Sequence, residues 1–98
     1  MLEINEDDVY CLSENIFLHK ISELEKYWAF NIDSGEHYSL NETSFWIVER
    51  IAGTVPLKSI LEEFLETFDV DNKQGKNDFC EVITGFVNEG IIRKEDNK

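Results

Sequence analysis

The segment from Tyr27 to Ser44 constrains this chain more than any other, because it reads as a hairpin running straight into a capped helix start. Tyr27 to Ile32 and Glu36 to Leu40 are rich in aromatic and branched residues, which suit a pleated, half-buried surface. Between them Asp33, Ser34 and Gly35 supply turn chemistry, with Gly35 free to take a positive φ. Asn41 has the side chain to cap a helix beginning at Glu42. Upstream, Ile16 to Ile21 reads as a further strand, joined through the short polar stretch Ser22 to Lys26, so three antiparallel strands in succession are expected. In the middle strand Trp28, Phe30 and Ile32 form a fully apolar face, while Tyr27, Ala29 and Asn31 form a half-apolar one. That pattern suits a central strand with Trp28 and Phe30 in the core and Glu36 to Leu40 at an edge.

From Glu42 the apolar period becomes helical. Phe45, Val48, Ile51 and Ala52 recur at spacings of three and four, and Gly53 is a natural stop. A second helix follows Pro56, with Leu57, Ile60, Leu61, Phe64, Leu65 and Phe68 on one side and Glu62, Glu63 and Glu66 on the other. The polar run from Asp71 to Asn77 reads as a loop and as the only candidate linker. A third helix then carries Phe79, Val82, Ile83, Phe86 and Val87 and ends at Gly90. Strands followed by helices need a shared covering surface, which predicts an α+β domain with the helices packed on one face of the sheet, in a winged-helix-like arrangement.

The 98 residues suit one domain that buries about 65% of its unfolded surface. With 42% hydrophobic residues the chain is too apolar for a disordered tail, although its first eight and last five residues are polar enough to fray. Nine Lys and Arg against 21 Asp and Glu give a net charge of -12, which disfavours nucleic acid and anionic membrane surfaces and would steer a basic partner inward. The acidic N-terminus does not read as a targeting signal and no apolar run approaches membrane-spanning length, so a cytoplasmic location is expected, with Cys11 and Cys80 as reduced thiols. Those two cysteines with His19 and His37 fit no recurrent metal-ligand spacing, and Cys80 reads as a small apolar residue rather than a nucleophile. Asn41, Glu42 and Thr43 match a glycosylation acceptor pattern, but helix capping explains them better. Nothing in the chain resembles a nucleophile and base pair, a metal set or a phosphate loop, so a non-enzymatic role without a cofactor is expected.

The order of elements and particular residues together resemble the PqqD-like family of peptide-binding domains known as RiPP recognition elements. The hairpin leads into Leu40 and Asn41 at a helix start; Ile51 and Gly53, Ile60 and Leu61, Asp78 and Phe79, and Gly90 to Ile92 follow in family order. The resemblance covers about residues 13 to 93. Pro56, where the family commonly has Thr, and Ala52, where an acidic residue often precedes the Gly, are departures that concern capping and turns. The resemblance implies a non-catalytic domain that binds the leader segment of a ribosomally made precursor peptide and presents its core to a maturation enzyme. That enzyme would be a radical-SAM enzyme or a lasso-type protease and cyclase. The leader would lie as an added strand against Glu36, His37, Tyr38, Ser39 and Leu40, with the third helix as the other wall of the groove. On that helix Lys76, Cys80, Ile83, Thr84 and Val87 are the expected contacts; Cys80, Thr84 and Val87 flank the core stripe and are small enough for a groove. Two other classes remain open from sequence. One is an orphan winged-helix interaction or oligomerisation domain; the other is a DNA-binding winged helix, which needs a more basic third helix.

Overall fold

The computed structural model describes residues 8–53 and 55–94. Strands β1 (Tyr10–Leu12), β2 (Ile16–Ile21), β3 (Lys26–Asn31) and β4 (His37–Leu40) are followed by helices α1 (Glu42–Ile51), α2 (Leu57–Thr67) and α3 (Asn72–Asn88) and by β5 (Ile92–Lys94). β2, β3 and β4 form an antiparallel sheet in chain order, and β1 pairs antiparallel with β5. The chain is thus a mixed α+β domain with three strands leading into three helices, as the sequence pattern predicts.

The hairpin forms for the reasons its residues suggest. Gly35 takes φ +79° and donates its amide to the Asn31 carbonyl at 2.8 Å, while the Asn31 side chain accepts from the amides of Asp33 and Ser34. Asn41 caps α1 by accepting from the Ser44 amide at 2.7 Å. At the far end of α3, Gly90 (φ +77°) donates to Val87 and Ile91 donates back to Phe86. This 5→2 and 6→1 pair of bonds closes the helix and turns the chain into β5.

Three sequence expectations are corrected. The polar run from Asp71 to Asn77 is not a loop: Asp71 caps α3 by accepting from Lys73 and Gln74, and the next residues form the first turns of that helix. Its composition is polar because those turns are exposed, apart from Gly75, which is buried where a Cβ would come within 2.5 Å of both Leu65 Cδ2 and Val70 Cγ2. The glycine marks a close approach of two helices rather than a chain reversal.

The second correction reverses the faces of the sheet. Ala29 is fully buried and Tyr27 packs on Phe45 with ring centroids 5.1 Å apart, whereas Phe30 lies on the side away from the helices with 36% of its surface exposed. Trp28 shares that outer side. The core is built instead from Ala29, Ile16 and the buried faces of the helices, including Phe45, Ile60, Phe79 and Phe86.

The third concerns the ends. Tyr10 is buried and β1 pairs Tyr10 with Lys94, Cys11 with Arg93 and Leu12 with Ile92; Asp8 accepts from the Leu57 amide and pairs with Lys94 at 3.4 Å. The ordered unit therefore begins before residue 13. Most of the end residues expected to fray, 1–7 and 95–98, lie outside the described residues. Among the described residues no helix is long and apolar enough to cross a membrane.

Candidate functional site

Among the described residues β4 pairs with β3 on one side only, which leaves its other side an open sheet edge. Which of its backbone groups face that edge follows from the register. The Asn31 amide donates to the Glu36 carbonyl at 2.8 Å, which makes 31 and 36 a hydrogen-bonded pair. Bonded and non-bonded pairs alternate in an antiparallel ladder, so Ala29 with Tyr38 and Tyr27 with Leu40 are bonded pairs as well. His37 and Ser39 therefore turn both their N–H and C=O groups away from β3, toward the open edge. Their side chains lie on the exposed outer face, while Tyr38 and Leu40 point toward the helices and are half-buried.

Beside this edge lies a cleft of about 490 Å³, within the size range of ligand sites. One wall is His37 to Leu40; the other comes from α3 and the turn after it, through Glu81, Val82, Gly85, Phe86, Glu89 and Ile91, with Ser44 of α1 also lining it. The floor is apolar and the rim carries two carboxylates. The Tyr38 hydroxyl donates to the Glu36 carboxylate at 3.2 Å. Desolvation, that hydrogen bond and the charges of Glu36 and Glu89 all raise the pKa of this phenol above its ordinary value.

Of the residues expected from sequence, His37, Tyr38, Ser39 and Leu40 line this cleft, and Glu36 stands next to it through Tyr38. On α3 the structure does not bring Lys76, Cys80, Ile83, Thr84 or Val87 to the cleft wall. Ile83 is fully buried, Cys80, Thr84 and Val87 are half-buried, and Lys76 is exposed near the helix start. The cleft faces instead the shoulder of α3 formed by Glu81, Val82, Gly85 and Glu89. Val82 and Phe86 have the periodicity of core residues, which hides their second role. A signal is nonetheless present: Gly85 interrupts the last turn of a helix, with Glu residues four positions before and after it.

The outer face of the sheet is a separate feature. Phe17, His19, Trp28, Phe30 and His37 meet there in cross-strand contacts, with His19 stacked on Trp28 at 5.6 Å and Phe30 5.7 Å from His37. Phe17 keeps 56% of its surface exposed. No group of three or more His, Cys, Asp and Glu side chains among the described residues has the arrangement of a metal site.

An open-edged antiparallel sheet flanked by a helix, with a cleft along the seam, defines the class: a small α+β module with an edge strand beside a cleft. The family profile of coenzyme PQQ synthesis protein D (PqqD) matches residues 27–92, and the chain belongs to that family. The fold is shared with two solved structures. One, described as TbiB1 in complex with the TbiA(beta) leader peptide, superposes with a TM-score of 0.76 at 11% identity, covering 89% of this chain and 99% of that one. The other, a lasso peptide synthetase B1 complexed with the leader peptide, gives 0.74 at 18% identity over 86% of this chain and 96% of that one. No curated protein matches the sequence significantly.

Proposed function

We propose that this domain binds the leader segment of a ribosomally made precursor peptide as an extra strand on β4, in the cleft beside α3. The carrying observation is the pair of outward-turned backbones at His37 and Ser39 along a 490 Å³ cleft. Main-chain hydrogen bonds to an edge give affinity with little demand on sequence, and side-chain pockets beside the edge supply selectivity. The family membership and the leader peptides bound by the two structurally similar chains support this reading.

The domain's contribution is tethering. A leader held on β4 raises the effective concentration of the attached core peptide at a partner enzyme, so modification accelerates while the chemistry stays with that enzyme. The fold shared with lasso peptide synthetase B1 favours a leader protease and cyclase over a radical-SAM enzyme as that partner. A DNA-binding role is disfavoured, because α3 carries Asp78 and Glu81 as well as Lys73 and Lys76, within a chain of net charge -12.

Calorimetric titration with the leaders of short reading frames encoded beside the gene tests the proposal. One leader binding at micromolar affinity or better, with binding lost in Ser39→Pro but fold retained, is the expected result. Uniform failure to bind would favour an orphan interaction domain.

A further inference from the structure

Gly85 lies in the last turn of α3, still inside its hydrogen-bonded ladder, where glycine destabilises a helix relative to alanine by up to about 1 kcal/mol. Nothing among the described residues requires it, because a Cβ built there would meet none of their atoms within 4 Å. Gly75 of the same helix is the opposite case, held as glycine by Leu65 and Val70. What Gly85 does provide is depth, since it lines the cleft opposite β4. Glu81 and Glu89 stand four residues to either side, both lining the same cleft. Their carboxylates form no ion pair or hydrogen bond with another described residue, and no Lys or Arg among the described residues lines the cleft.

The spacing has a counterpart in an extended peptide. Residues four apart on a helix are separated by about 6 Å along its axis, and side chains two apart on a strand by about 6.6 Å. A strand lying between β4 and α3 turns every second side chain toward α3, so three such side chains in a row match Glu81, Gly85 and Glu89. Resting on the strand-addition reading above, we infer that the cleft selects a peptide carrying a large apolar side chain over Gly85 and a Lys or Arg two residues to each side, facing Glu81 and Glu89. The low pocket at Gly85 accepts the bulky group, and the apolar wall of Val82 and Phe86 covers it. The rim carboxylates take the two cations without having to release a partner among the described residues. The field of Glu89 already reaches across the cleft to Tyr38.

Selection of a random dodecapeptide library by mRNA display on the immobilised 98-residue protein tests this whatever the natural ligand is. Enriched peptides should carry a large apolar residue with Lys or Arg at both positions two residues away. A synthetic peptide with that consensus should bind the double variant Glu81→Gln, Glu89→Gln about tenfold more weakly at low salt, and the difference should shrink at high salt. Gly85→Leu should abolish binding while raising the melting temperature. Enriched peptides that lose affinity in Ser39→Pro, yet show no basic preference and bind the double Gln variant as tightly as wild type, would overturn the pattern and leave strand addition standing. Failure to enrich any peptide, or enriched peptides indifferent to Ser39→Pro, would overturn both.

Discussion

The two faces of the β2–β3–β4 sheet are both apolar, yet only one is core. On the inner face Ile16, Ala29 and the half-buried Tyr27, Tyr38 and Leu40 meet the helices; on the outer face Phe17, His19, Trp28, Phe30 and His37 contact one another and remain open. The larger residues are on the exposed side. What decides burial is the small residue: Ala29 leaves room for Tyr27 and Phe45 to pack and for α1 to approach, whereas Trp28 and Phe30 would hold the helices off. Side-chain volume at the contact, rather than hydrophobicity summed along a face, chooses which side of this sheet the helices cover.

The largest effect expected from that contrast is in stability. Phe79→Ala, at a site only 2% exposed, should cost on the order of 3–5 kcal/mol, while Phe17→Ser on the outer face should cost less than about 1 kcal/mol. Urea denaturation of the two variants measures both, and equal losses would place the core on the wrong face.

Part of this was legible in the sequence and part was not. Gly35 and Asn41 announce the turn and the helix start because each does a job that few residues can do, and the strands on either side follow. The face of β3 was illegible because alternation reports a period and not a direction when both phases are apolar. β1 and β5 are three-residue strands whose pairing of Tyr10 with Lys94 spans nearly the whole chain, so neither carries a local signal. In the cleft, the β4 wall came from the family resemblance, and which of its amides face outward came only with the register seen in the structure. The residues of the α3 wall were illegible, since Val82 and Phe86 serve the core and the cleft at once.

The next contrast is between two glycines of α3. Gly75→Ala forces a Cβ to within 2.5 Å of Leu65 and Val70 and should destabilise by about 1–3 kcal/mol. Gly85→Ala meets nothing and should stabilise by about 0.5–1 kcal/mol. Thermal melts of opposite sign are expected; a loss at both positions would mean that Gly85 answers to the fold rather than to the cleft.

Along β4 the contrast alternates by residue. Tyr38→Pro removes an amide that bonds β3 and should destabilise by about 1–3 kcal/mol. His37→Pro and Ser39→Pro remove amides that face the open edge, so their main effect should fall on peptide affinity and not on the melting temperature. If Ser39→Pro unfolded the domain as readily as Tyr38→Pro, the register argument would fail.

The smallest effect is electrostatic. The Tyr38 phenol holds its proton to higher pH in the fold than in the unfolded chain, where its ordinary value is 10.0. A group that binds its proton more tightly when folded contributes its full stabilisation below that value and loses it as pH rises further. Ultraviolet titration should show Tyr38 ionising late, and Glu36→Gln should bring it back toward the ordinary range; an unchanged titration would separate Tyr38 from the charges around the cleft.

The most direct measurement is residue-resolved amide hydrogen exchange, by NMR, on the free domain and on the domain saturated with a bound leader. Tyr38 and Leu40, whose amides bond β3, should be protected in both states and serve as internal controls. His37 and Ser39 should exchange rapidly when free and become protected on binding, as an added strand requires. Binding that leaves these two amides exchanging freely, or that slows exchange only around Phe17, Trp28 and Phe30, would contradict strand addition at β4 and move the peptide to the opposite face of the sheet.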